Sequence, residues 1–98
     1  MKEMITTQIS IQKKLQLKQY LNGQLAVYVH DINGEPIAEL SIMHDSVDLA
    51  PNEFILKDYS ENEHLVQECY ESNLFIPTDR YVLIGSHFCP ICQVRSEV

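Results

Sequence analysis

Ninety-eight residues, 45% of them hydrophobic, suffice for one small folded domain with its own core. No apolar run approaches the roughly 20 residues of a membrane span, and three Gly and four Pro exclude collagenous or low-complexity chain. Seven basic and fourteen acidic side chains give a net charge of −7.

The start, Met1-Lys2-Glu3, leads into an alternating polar stretch and does not read as a secretory signal, so a cytoplasmic protein is expected. Ile5, Thr7, Ile9 and Ile11 alternate with polar residues, as on a half-buried strand. Leu15 and Leu17 carry that character towards Tyr20. Asn22-Gly23 is a hairpin signal in which both positions would take positive φ, and Leu25–Val29 is the return strand. Asp31–Pro36 reads as a second turn and Ile37–Ile42 as a third strand, with Pro36 tolerated at its start. Met43–Pro51 carries the breakers Asp45, Ser46, Asp48 and Pro51 and reads as a loop, and Phe54–Leu56 as a short strand.

The helix signal is the clearest local one. Ser60 and Glu63 fit a capping box, Leu65, Val66 and Cys69 share a face, and Asn73 suits a left-handed C-cap. A helix over about residues 61–72 follows. Pro77–Arg80 then reads as a turn and Tyr81–Ile84 as a buried final strand. The expected architecture is α+β: one domain over 1–98, a mainly antiparallel sheet of about five strands, and one packed helix.

Charge is unevenly distributed. Residues 1–20 hold four lysines against Glu3, whereas residues 21–98 hold three basic and thirteen acidic groups. Between Asp31 and Glu71 there are eleven acids and one base, Lys57. Such a surface repels phosphate, so direct nucleic-acid binding is not expected through it. It attracts basic surfaces and speeds encounter with them. Serving only solubility is the simpler role for the same acids.

The odd count of three cysteines does not suit a disulfide framework. Cys89-Pro90-Ile91-Cys92 has the spacing at which a tight turn presents two thiolates to one zinc ion. Cys69 and His87 are the expected further ligands; His64, five residues before Cys69 on the helix, lies about 140° round from it and is the less favourable choice. His30 and His44 have nothing to single them out. A site of Cys69, His87, Cys89 and Cys92 would tie the short C-terminal tail to the helix. For Cys69 the simpler role is a small buried core side chain.

Catalytic readings fail on spacing. A thioredoxin-like centre needs its C-x-x-C opening a helix within a βαβ pattern, and a zinc deaminase needs H-x-E followed by P-C-x-x-C. Neither occurs, and no nucleophile, base and orienting group are visible together. No enzyme activity and no catalytic residue are expected.

Several stretches resemble a family of small proteins of unknown function carried by plasmids, conjugative elements and phages of Gram-positive bacteria. They are Leu25-Ala26-Val27, Asn33–Pro36, Ala38–Ser41 and, most closely, Asn52–Glu63. The resemblance covers roughly residues 20–92, within which the cysteine cluster departs from the family pattern. It implies a mobile-element setting in a bacterial host. Small acidic proteins there evade host defence as anti-CRISPR or antirestriction proteins. The expectation is a non-enzymatic inhibitor, with a structural zinc, that binds the RNA-guided effector nuclease of a type II CRISPR system and blocks loading of target DNA. Asp45, Asp48, Asp58, Glu61, Glu63, Glu68 and Glu71 are the expected contact residues. The alternative is a zinc-stapled regulatory or accessory module of a mobile element, serving transcription, conjugation or antirestriction.

Overall fold

The computed structural model of the chain describes residues 5–10 and 13–95. Met1-Lys2-Glu3, Ile11 and the facing of Ile5, Thr7 and Ile9 lie outside the described features. Among the described residues, eight strands form two four-stranded antiparallel sheets, and one α-helix shares their main core. Sheet A has the order β1-β2-β3-β4, from Ile5–Ser10, Lys13–Gln19, Leu25–Asp31 and Pro36–Glu39. Sheet B has the order β5-β6-β8-β7, from Ser41–Ile42, Glu53–Leu56, His87–Val94 and Phe75–Ile84. The helix α1 spans Glu63–Glu71. The fold class is thus α+β with antiparallel sheets and one helix, and the strand count exceeds five for local reasons.

Three segments divide differently from their sequence pattern. The apolar alternation from Ile5 to Leu17 belongs to two antiparallel strands, with Leu15 opposite Thr7. No Gly, Pro, Asn or Asp marks the reversal between them. The stretch from Pro36 to Ile42 is shared between both sheets, and Leu40 is the crossing point. Pro77–Arg80 is a bulge inside β7 instead of a turn, with Asp79 at φ 72°.

The β2–β3 and β3–β4 turns use one construction. Gly23 donates to the Tyr20 carbonyl and Tyr20 to that of Gln24; Gly34 and Asp31 repeat this with Asp31 and Glu35. Each glycine has φ 89°, which a Cβ would disfavour. Asn22 does not take positive φ as expected from Asn-Gly. Its Oδ1 accepts from Gln24 N–H, and its Nδ2 donates to Asp45.

The helix starts later than expected and without a capping box. Ser60–Asn62 is a 3-10 turn that Ser60 enters at φ 59°, and Asn62 is the N-cap without a side-chain capping bond. Asn62 is 1% exposed, and its Nδ2 donates at 3.0 Å to the carbonyls of both Glu39 and Lys57. The C-terminus follows expectation: Asn73 takes φ 59°, Asn73 N–H donates to Tyr70 O, and Leu74 N–H to Cys69 O.

The main core lies between sheet A, α1 and one face of sheet B. Leu15, Val27 and Val29 meet Leu65, Val66 and Cys69 of the helix and Phe54, Leu56 and Cys92 of sheet B. Phe54 and Phe75 pack edge to face at 5.0 Å. On the other face of sheet B, Ile55, Cys89 and Ile91 are covered by Val47 and Leu49 of the 43–52 loop and by Tyr59. The Gln24 side chain holds that loop, donating to the carbonyls of His44 and Val47 and accepting from His44 N–H. Among the described residues no helix is long and apolar enough to cross a membrane.

Asn62→Ala removes two donors from buried carbonyls and is expected to cost about 2–3 kcal/mol. Asn62→Asp at neutral pH should cost more, because a carboxylate would face those carbonyls, and acidification should recover part of the loss. Urea midpoints at two pH values check both; an Asp variant as stable as the parent at pH 7 would contradict the assignment.

Candidate functional site

Cys89 and Cys92 lie in β8, not in a turn. Cys92 pairs with Phe54 and Ile91 with Ile55, so residues 89 and 91 face one side of sheet B and residue 92 the other. Packing agrees: Cys89 belongs to the small cluster under the 43–52 loop, Cys92 to the main core under the helix. With β8 paired in this way, one ion cannot take both thiolates. Cys69 shares the main core with Cys92. His87 is exposed at the far end of β8 and stacks on Tyr59, with centroids 3.9 Å apart and rings 6° from parallel. His64 is exposed on the helix. Among the described residues no group of three or more His, Cys, Asp or Glu side chains is placed to hold a metal ion. The four expected ligands are therefore not brought together in this arrangement.

What the thiols do here is pack. All three are free and fully buried. Burial pushes the Cys69 thiol up to about 12, with Glu68 adding in the same direction. Burial also raises Cys89 and Cys92, and the carboxylate of Asp58 adds to both; the Tyr70 hydroxyl, 3.5 Å from Cys92 Sγ, works the other way on Cys92. Raised thiols are poor nucleophiles at neutral pH.

The seven expected contact carboxylates do not gather on one face. Asp45 and Asp48 sit on the loop over one side of sheet B, and Glu61, Glu63, Glu68 and Glu71 on the helix side. Asp58 lies on the connection from β6 towards the helix. Several have partners within the chain. Glu68 accepts from Lys13 at 3.2 Å, tying α1 to sheet A. Lys57 donates to Glu61, Gln67 to Glu71 and Asn22 to Asp45. Asp45, Asp48, Glu61, Glu63 and Glu71 are exposed, while Asp58 and Glu68 are half-buried. The lysine partner lowers Glu61 as a second cause, behind a backbone hydrogen bond.

Two features have no counterpart in the sequence reading. Tyr81, Leu83 and Phe88 are 63%, 56% and 69% exposed at the tip of the β7–β8 hairpin. Leu83 pairs with Phe88 and lies two residues from Tyr81, so all three project from one face. The sequence signal was present: residues 81–94 are the longest stretch without a charged side chain. By pattern alone it suggests a buried strand followed by a metal turn. The second feature is a depression of about 270 Å³ on sheet A, lined by Lys14, Gln16, His30 and the Asp31–Gly34 turn. The buried Glu53 carboxylate, paired with Arg80, is a structural group. The Ala50 N–H, ahead of Arg80, holds it below the usual carboxylate range.

No family model, curated protein or solved structure matches this chain.

The buried thiols give two expected outcomes. A folded-state thiol raised above its unfolded value contributes stability below about pH 8.5, lost progressively as pH rises towards the folded value. The urea midpoint should therefore fall between about pH 8.5 and 11, and Cys69→Ala should flatten that fall. Native protein at pH 8 should resist a thiol reagent that titrates all three cysteines after unfolding. Elemental analysis of tag-free protein addresses the metal directly. With β8 paired, less than one zinc per chain is expected; one zinc, lost in Cys89→Ser, would show that β8 yields to a ligand turn.

Proposed function

We propose that the protein acts without catalysis, as an acidic inhibitor in the cytoplasm of a bacterial host. Its target is the RNA-guided effector nuclease of a type II CRISPR system, and it competes with target DNA for the basic channel. The observation that carries this reading is the surplus of carboxylates, eleven acids and one base between Asp31 and Glu71, of which Glu35, Glu39, Asp45, Asp48, Glu61, Glu63 and Glu71 are exposed. The resemblance to mobile-element proteins supplies the setting and the choice of target.

The geometry narrows the contact group. Glu68 is occupied by Lys13 and serves the fold. Glu61, Glu63 and Glu71 are exposed on the 3-10 turn and helix and are the first choice for contact. The 43–52 loop with Asp45 and Asp48 faces another direction and meets a different part of the partner, or none. An acidic ligand approaching a basic channel gains mainly in association rate, from roughly 10⁵–10⁶ up to 10⁸–10⁹ M⁻¹s⁻¹ at low salt. The Coulomb gain at exposed positions is screened over about 8 Å at physiological ionic strength.

The reading is tested with a purified effector, its guide and a labelled DNA target. Protein added before DNA should reduce cleavage at least about tenfold; added after the DNA is loaded, it should do little. The triple variant Glu61→Lys, Glu63→Lys, Glu71→Lys should restore cleavage well beyond its loss of stability from the lost Lys57–Glu61 pair and the lysines at the helix N-terminus, and higher salt should slow association of the parent. Undiminished cleavage at saturating protein removes the nuclease reading. Capture of a transcription or conjugation component in its place would favour the accessory-module alternative.

A further inference from the structure

We infer that two copies of the chain pair through the outer edge of β7, over Tyr81–Ile84, forming one continuous antiparallel sheet across a two-fold axis. β7 is the last strand of sheet B, and β8 is its only strand neighbour among the described residues. Unpaired strand edges are usually blunted by shortness, proline, bulges or charge. The other edge of sheet B, β5, has two residues, and the edge strand β4 has four and begins at Pro36. The first half of β7 is blunted likewise, by Pro77, the bulge before Arg80 and the charges of Asp79 and Arg80. The second half, Tyr81-Val82-Leu83-Ile84, has none of these devices.

A second copy suits this edge for three reasons. An antiparallel strand is complementary to itself under a two-fold rotation, so the contact closes at a dimer. Centred on Val82, the pairing sets Tyr81 of one copy opposite Leu83 of the other, and Arg80 opposite Ile84. Aromatic–aliphatic pairs are favourable there, and no charge meets a like charge, although each chain carries −7. The exposed side chains also sit where the pairing can use them. Tyr81 and Leu83, 63% and 56% exposed, lie on the edge strand itself and cover one another across the axis. The contact belongs to the small class, below about 1,200 Å² in total, so weak association, roughly tens of micromolar, is expected. This inference is independent of the nuclease reading.

Salt gives a diagnostic sign. Two chains of −7 repel beyond the contact, so screening should tighten the dimer, whereas association with a basic partner weakens with salt. Sedimentation equilibrium of tag-free protein at about 100 µM should return twice the 11.3 kDa chain mass, more fully at high salt. Leu83→Lys lies at an exposed position and should leave the melting temperature unchanged while returning the monomer mass. Single cysteines placed at residues 81, 82 and 83 should include one that forms an interchain disulfide rapidly, since facing Cα atoms in such pairs lie about 4.5–5.5 Å apart. The parent, with its three buried thiols, should not. A monomer at both salt levels overturns the inference. So does a dimer that survives Leu83→Lys, or one that forms no crosslink at any of the three positions.

Discussion

Leu40 is bonded in two directions, and the two sheets depend on it. Its N–H donates to Val27 O in sheet A, and its carbonyl accepts from Lys57 N–H at the end of β6, both at 2.8 Å. Around it the backbone groups of the crossing find partners on both sides, although Asn62 Oδ1 has none. The Ser41 hydroxyl oxygen accepts from Val27 N–H and is 2.7 Å from the Tyr20 hydroxyl, which also donates to Glu39. Asn62 donates to the carbonyls on either side, at Glu39 and Lys57. A chain cannot pass through a core without such partners, because each buried carbonyl or amide left unpaired costs about 1–3 kcal/mol. Burial and the Glu39 carboxylate both raise the Tyr20 phenol, which therefore stays protonated and keeps donating.

That crossing explains much of what was legible and what was not. Apolar alternation and turn residues marked β3, β4 and β6, and the helix C-terminus was readable because a left-handed Asn followed by Leu and Phe is a local device. The helix start was misread because Asn62 spends its side chain on the distant carbonyl of Glu39, 23 residues away. Ser60 and Glu63 have the spacing of a cap, but the chain enters at Ser60 with φ 59° and the helix begins after it. Leu40 looked like the middle of one strand because alternation does not say which sheet a residue joins.

The cysteines show the same limit in the candidate site. C-x-x-C spacing is compatible with a ligand turn and with a strand, and three residues of separation give opposite consequences. In a turn the two sulfurs converge; in β8 they point to opposite faces. What decides between them is the pairing of β8 with β6 on one side and β7 on the other, a non-local fact. β8 is an inner strand of sheet B, and a small apolar thiol fits the tight packing on either face. The acidic surplus was readable from composition, but its division between the loop side and the helix side of sheet B was not.

The resulting molecule separates two kinds of surface on one side of sheet B. The helix presents carboxylates, and the hairpin beyond it presents uncharged aromatic and aliphatic side chains. By parity along β8, Phe88 faces the same side as Cys92, beneath the helix, so the two surfaces are neighbours in one direction of approach. They respond oppositely to ionic strength, since carboxylate attraction is screened while like-charge repulsion around an apolar contact is relieved. If two chains join at β7, their helices are carried on one continuous sheet. The dimer then offers two acidic groups in fixed relation. A partner with a basic channel would meet them together, and the second contact would form at an effective concentration set by the sheet, not by diffusion. Weak carboxylate contacts on a small fold become consequential by that route.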